Sequence, residues 1–168
     1  NIADFGKDFE GSLENLIDSI FDKTSLHRLR LSSLDPTEIS DRILRKLKEN
    51  NRLMPHFHLS IQSASTRVLR AMKRHYDEKQ IAKTLEKIYQ CNPNIYVGID
   101  MIAGFPTETE KEHQDSIALL SRLPWTRLHV FPYSERAETT ALRLKKTVPM
   151  RVRKARAQDW IELSNFRL

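Results

Sequence analysis

Four short segments with a two-residue period, each followed by a stretch with a helical period, constrain this chain more than any other feature. The first, HRLRLSSL (27–34), sets Leu29 and Leu31 on one face against Arg30 and Ser32 on the other. Asp35, Pro36 and Glu38 then supply an N-cap, a first-turn proline and a capping-box acid. A helix carrying Ile39, Ile43, Leu44 and Leu47 is expected to follow and to end near Asn50 and Asn51. The second run, HFHLSIQ (56–62), alternates Phe57, Leu59 and Ile61 with His56, His58, Ser60 and Gln62, and helical stretches from Ser65 to Met72 and from Asp77 to Gln90 come after it. The third run, IYVGIDMI (95–102), leads to a helix from about Glu108 to Leu123 with Ile117, Leu120 and Leu123 inward. The fourth, TRLHVFPY (126–133), leads to a last helix from Pro149 that carries Val152, Ala155, Trp160, Ile161 and Leu163.

This order predicts an α/β protein of four parallel strand-helix units with right-handed crossovers. An extra helix, Leu13 to Phe21, comes first with no strand ahead of it, so a segment upstream is expected to be missing. Strands buried on both sides of a flat parallel sheet read apolar on both faces. Each of these runs instead keeps a polar face, so a partial (β/α) barrel with a wet lumen is expected.

Composition narrows the function classes. With 39% hydrophobic and 30% charged residues and no long apolar run, no membrane span is expected. The opening NIADFGKDFEGS has no secretory pattern, and a cytoplasmic home follows. Cys91 is the one cysteine; it makes neither an internal disulfide nor an iron-sulfur cluster by itself, and it reads as a half-buried filler. The net charge is +6, and the block Arg143, Lys145, Lys146, Arg151, Arg153, Lys154 and Arg156 suits either a polyanion or a solvated helix face.

The junction GFPTE after the third run carries two readings. Gly104 and Pro106 can break the strand before a helix capped by Thr107 or Thr109, with Glu110 or Glu112 as partner. Alternatively the junction holds a ligand, since loops after parallel strands build sites. His56, His58 and His129 lie near strands, but no cysteine or acid is placed to complete a metal site with them. Arg30 needs an anion, either a ligand carboxylate or phosphate or the side chain of Asp100.

The succession RLRLSSLDPTEI, HFHLSIQSASTRVLRAMKRHY, GIDMIAGFPTETEKE and RLHVFPYSERAETTA resembles the radical S-adenosylmethionine methylthiotransferases, and most of all the branch acting on threonylcarbamoyladenosine in tRNA. The resemblance implies a (β/α)6 barrel with a [4Fe-4S] cluster on a three-cysteine loop, an N-terminal domain with a second cluster and a C-terminal RNA-binding domain. On it, residues 1–168 are the C-terminal part of the barrel, and the cluster ligands and the RNA-binding domain lie outside this chain. In the whole enzyme S-adenosylmethionine is cleaved reductively, hydrogen is abstracted from C2 of a modified adenine, and a methylthio group is inserted there.

The resemblance assigns cofactor contacts to Gln62, Ser63, Asp100, Ile102, Gly104, Phe131 and Tyr133 and a substrate contact to Arg136; Arg30 and Ser32, on the polar face of the first run, are further cofactor candidates, and Lys73 and Arg74, with Arg67 and Arg70 alongside, read either as tRNA contacts or as a solvated helix end. No residue of this chain is expected to be catalytic or a metal ligand. Ala64, Thr107, Ala137 and Glu138 depart from the family pattern, Ala64, Thr107 and Glu138 standing where it has glycine and Ala137 where it has proline. A non-catalytic module that binds RNA or a protein, or a paralogue that has lost its cofactor site, is the alternative. The sheet edge where strands are missing is expected to make the chain associate with itself.

Overall fold

Three of the four alternating runs pair side by side as a parallel sheet, in the order β1 (His56–Gln62), β2 (Tyr96–Ala103), β3 (Arg127–Pro132). The computed structural model describes residues 5–167 other than 7, 9, 136–138, 140, 142, 143 and 145. Arg136, Ala137, Glu138, Arg143 and Lys145 therefore lie outside the described residues.

The run at 27–34 is not a fourth regular strand. It makes two isolated parallel bridges, Leu29 with Leu53 just ahead of β1 and Leu34 with Leu59 at the edge of the sheet. Ser33 between them takes φ 58, a left-handed conformation that interrupts the pleat, and only Leu34 exchanges hydrogen bonds with β1, at His58 and Ser60. The expected four strands are thus three, with an irregular segment laid along β1.

Local signals set most helix boundaries. Helix α1 (Leu13–Lys23) starts at Ser12, whose hydroxyl accepts from the Asn15 amide. The signals at Asp35, Pro36 and Glu38 build only a 3-10 turn, Pro36–Glu38, after which Ile39 leaves helical geometry and Ser40 caps a fresh helix, α2 (Asp41–Glu49). Ser65 caps α3 (Thr66–Ala71), Asp77 and Gln80 form a capping box on α4 (Glu78–Cys91), and Thr109 and Glu112 form one on α5 (Glu110–Leu120). The last helix, α6, spans Met150–Asn165. Helix α1 docks on α2 through Ser40 to Glu14 and through Arg42 and Lys46 to Asp18.

The two faces of the sheet divide the work. Phe57, Leu59, Ile61, Val97, Ile99, Met101, Ala103 and Leu128 are buried and meet Ile81, Leu85, Ile88, Leu120, Ala157 and Trp160 from the helices. His56, His58, Ser60 and Gln62, then Asp100 and Ile102, then His129 occupy the other face and are only partly buried. This is the lumen side that the polar halves of the strands anticipate. Among the described residues no helix is long and apolar enough to cross a membrane.

Helix α6 buries a different stripe from the one its apolar residues suggest. Ala155 and Ile161 are exposed, while Arg153, Arg156, Ala157, Trp160 and Ser164 face inward. The surface that α6 covers presents carbonyls and carboxylates, so guanidinium groups fill it better than aliphatic chains. Arg153 donates to Val148 O (2.6 Å), Tyr133 O (2.9 Å) and Glu135, and Arg156 donates to Glu108 (2.8 Å) and Glu110 (3.1 Å). Two members of the basic block are therefore internal struts, neither a polyanion contact nor a solvated face.

Candidate functional site

A cleft of ≈ 490 Å³ opens at the carboxyl ends of the three strands. Its lining is Gln62 from the end of β1, Asp100 and Ile102 from β2, Phe131 and Pro132 from β3, and Tyr133, Ser134, Thr139 and Ala141 from the following loop. Ligands of parallel α/β proteins bind at this end, because the loops there leave the sheet and converge. A second cavity of ≈ 590 Å³ lies among α3, α4 and α5 on the helix side, where Arg67 and Glu112 already pair with each other.

Five residues singled out from the sequence meet in the cleft: Gln62, Asp100, Ile102, Phe131 and Tyr133. Gln62 adopts φ 68, so its backbone turns sharply as β1 ends. Phe131 is 54% exposed and offers an aromatic face, while Tyr133 is buried edge-on against Phe105 (5.3 Å). An amide, a carboxylate and aromatic rings suit the hydroxyls and the base of a nucleoside, and the volume is within the usual range for small-molecule sites. The adenosine end of the expected cofactor fits this lining. Among the described residues that line the cleft there is no cation.

The other predicted contacts do not line the cleft. Arg30 and Ser32 are exposed on the irregular segment, and Arg30 does not pair with Asp100, whose Oδ1 instead lies 3.0 Å from His58 Nε2 and 3.6 Å from His129 Nδ1. Ser63 is buried and its hydroxyl accepts from the Ser65 amide, which stabilises the turn into α3. Gly104 faces α6: a Cβ there would stand 2.6 Å from Arg153 Cγ and 3.0 Å from Arg153 Cα, and its amide donates to Glu108 (2.9 Å). Its φ of +73 and this close approach explain the glycine without a ligand. Arg74 is bound to Asp35 (2.9 Å), whereas Lys73 is exposed.

The departures from the family pattern have distinct outcomes. Ala64 is buried, and the left-handed residue is Gln62 two positions earlier. Thr107 takes φ 76, a costly conformation for a β-branched residue. Arg67 holds it there by donating to Thr107 O (2.5 Å) and Oγ1 (3.1 Å), and the Thr107 amide donates to Lys146 O (2.7 Å). The same guanidinium forks onto Glu112, and that hydrogen bond holds the Glu112 carboxyl well below its usual range, at about 2. Arg67 is therefore a clamp on the GFPTE loop.

Sequence reasoning missed three arrangements. Asp100 completes a constellation with His58 and His129, contrary to the expectation that no acid stands beside the histidines. The cue is register: Asp100 pairs with His129 across β2 and β3, and Gly98, two residues earlier on the same face, pairs with His58. His113 is fully buried, with Nε2 2.8 Å from Asp159 Oδ2 and its ring edge-on to Trp160. Glu108 is buried beside Arg156, and burial pushes its carboxyl above the usual range despite that cation. Helical periodicity gives no cue to these last two, because both groups are polar at core positions.

Comparison with known proteins agrees with this geometry. The Radical SAM superfamily pattern matches residues 4–120. The chain is 34% identical over 162 residues to the threonylcarbamoyladenosine tRNA methylthiotransferase MtaB of Aquifex aeolicus, covering 96% of this chain and 40% of that protein. It is 37% identical over 161 residues to the protein of that name from Rickettsia prowazekii, covering 94% and 38%. It is 35% identical over 168 residues to the tRNA-2-methylthio-N(6)-dimethylallyladenosine synthase of Bacillus subtilis, covering 98% and 33%. The chain thus spans well under half the length of these relatives. Among solved structures, coproporphyrinogen III oxidase (HemN) from Escherichia coli superposes with a TM-score of 0.68 at 22% identity, over 83% of this chain and 32% of that one, a likeness of fold. On its sequence pattern and its parallel half-barrel, the chain belongs to the radical SAM superfamily.

Proposed function

We propose that these 168 residues are the C-terminal part of the radical core of a cytoplasmic tRNA methylthiotransferase of the threonylcarbamoyladenosine branch, and that their task is to hold the adenosine end of S-adenosylmethionine. The observation that carries the reading is the cleft at the strand ends, in which Gln62, Asp100, Ile102, Phe131 and Tyr133 converge. The relatives named as tRNA methylthiotransferases supply the substrate class. When bound and reduced at a cluster held outside this chain, the cofactor supplies the radical and methyl chemistry.

The residues of this chain orient and shield. Gln62 and Asp100 present an amide and a carboxylate to ribose hydroxyls, Phe131 covers a base face, and Ile102 and Tyr133 close the apolar side against water. Lys73, exposed at the end of α3, reaches a tRNA phosphate, and the sheet edge on the side of the irregular 29–34 segment, where upstream strands are missing, lets the chain pair with a second copy.

The test uses the whole enzyme. Gln62→Ala is expected to weaken S-adenosylmethionine binding, measured by calorimetry, by about tenfold or more, the loss of a charge-free polar contact. Methylthiolated nucleoside in a tRNA digest, read by mass spectrometry, should fall with it. Lys79→Ala, on the helix side, should change neither. Unaltered cofactor affinity in Gln62→Ala would remove the cleft from the reading.

A further inference from the structure

We propose that His58, Asp100 and His129 form a binding site for one divalent transition-metal cation of the zinc class, on the lumen face of the sheet. The three side chains come from three adjacent strands, and the register described above sets them on one face. Three donor atoms converge: His58 Nε2 lies 3.1 Å from His129 Nδ1 and 3.0 Å from Asp100 Oδ1, and His129 Nδ1 lies 3.6 Å from the same oxygen. In a tetrahedral zinc site with bonds of about 2.0–2.1 Å, donor atoms stand roughly 3.3–3.4 Å apart. The triangle has the size of one face of that tetrahedron.

Hydrogen bonds alone serve this arrangement poorly. Nε2 of a neutral His58 carries at most one hydrogen, which the carboxylate and the facing imidazole have to share. If both histidines donate to Asp100, two N–H groups face each other at 3.1 Å. A cation at the shared point satisfies all three lone pairs at once. Two imidazoles and one carboxylate favour zinc and its neighbours over magnesium or calcium, which prefer all-oxygen sites.

Space and access are provided for. Gly98 lies between the two rings, where a Cβ would stand 3.1 Å from His58 Cδ2 and 3.9 Å from His129 Nε2. The side chains of His58 and Asp100 are 17% and 19% exposed and that of His129 is 42% exposed, so an ion can enter past His129. Asp100 also lines the ≈ 490 Å³ cleft, so the fourth coordination position is open to a ligand there. The site stands on these distances and does not depend on the methylthiotransferase reading.

The test strips the purified protein with a chelator and titrates it with Zn²⁺ alone by calorimetry, and with Co²⁺ by visible absorption. One equivalent of Zn²⁺ is expected to bind and raise the thermal midpoint, and Co²⁺ should give d–d bands without a thiolate charge-transfer band. His58→Ala and His129→Ala should each weaken Zn²⁺ by more than the roughly 10–100-fold that a lost outer-shell partner costs. His56→Ala, whose ring stacks on Tyr96, and Gln62→Ala should leave zinc binding unchanged, the second even though it weakens the adenosine cofactor. No saturable binding, equal affinity in the histidine variants, or a thiolate band would each overturn the site. Should a histidine variant fail to fold, the cobalt spectrum of the unaltered protein decides, because imidazole-carboxylate and thiolate ligation absorb differently.

Discussion

Gly104 and Glu112 show how single residues hold the loop that borders the site. At Gly104 any side chain meets α6 as well as an unfavourable backbone angle, and one of the atoms it meets is the Arg153 Cα, which cannot turn aside. Gly104→Ala is therefore expected to lower stability by about 1–3 kcal/mol while cofactor affinity in the surviving folded protein stays nearly normal. Thermal midpoint and affinity measured on one preparation check this, and a selective loss of affinity would return Gly104 to the site. Glu112 accepts from Arg67 and from the Thr109 amide, so its carboxyl is depressed to about 2 from 4.5. A depressed acid contributes stability that is complete above the unfolded value and disappears as pH falls through the folded one. The Arg67 side chain is 52% exposed, so solvent screens the pair and Glu112→Gln should cost only ~1 kcal/mol at neutral pH. Thermal melts of both proteins should converge as the pH falls from 4.5 toward 2; a constant offset would show that the charge is not the cause.

Helix α6 is the element on which the half-barrel depends, and its inward arginines make its docking electrostatic as well as apolar. Arg156 and Glu108 are 6% and 5% exposed at the side chain, and Arg153 forks onto Glu135 while its guanidinium lies over the Tyr133 ring at 5.2 Å. Breaking a buried pair leaves a charge without a partner, so Arg156→Met should destabilise by about 3–5 kcal/mol. Adding Glu108→Gln should recover most of that loss, because the orphaned charge is then gone. Burial already raises the Glu108 carboxyl, so in Arg156→Met the deficit should shrink as pH falls and Glu108 takes a proton. Denaturant unfolding of the single and double variants across pH checks both statements, and a double variant no better than the single would refute the pairing argument. Trp160 and Ala157 sit in the same stripe, so the apolar part of the docking survives in every variant.

At the scale of the molecule, the sheet is unequal at its two sides. The irregular 29–34 segment lies against β1, whereas beyond β3 no strand is paired among the described residues. The edge where upstream strands are missing is the side of the 29–34 segment, which makes only isolated bridges and leaves backbone donors and acceptors open, so self-association rising with concentration is expected by light scattering; a monomer across the whole range would speak against it. The sequence by itself determined where most helices begin, because caps are local: Ser12, Ser65, Asp77 with Gln80, and Thr109 with Glu112 act within one turn, whereas the signals at Asp35 make only a 3-10 turn and α2 waits for Ser40. It also determined the lumen side, since a two-residue period sends His58, Gln62 and Asp100 to the face opposite Phe57, Leu59 and Ile99. Only the tertiary structure decided that residues 27–34 stop short of a strand, that Arg153 and Arg156 turn inward, that Gly104 serves α6, and that Asp100 belongs with two histidines. Each of these outcomes is fixed by a partner distant in sequence. Periodicity assigns a residue to a face, but which charge, backbone atom or imidazole meets it there is set by register and helix docking.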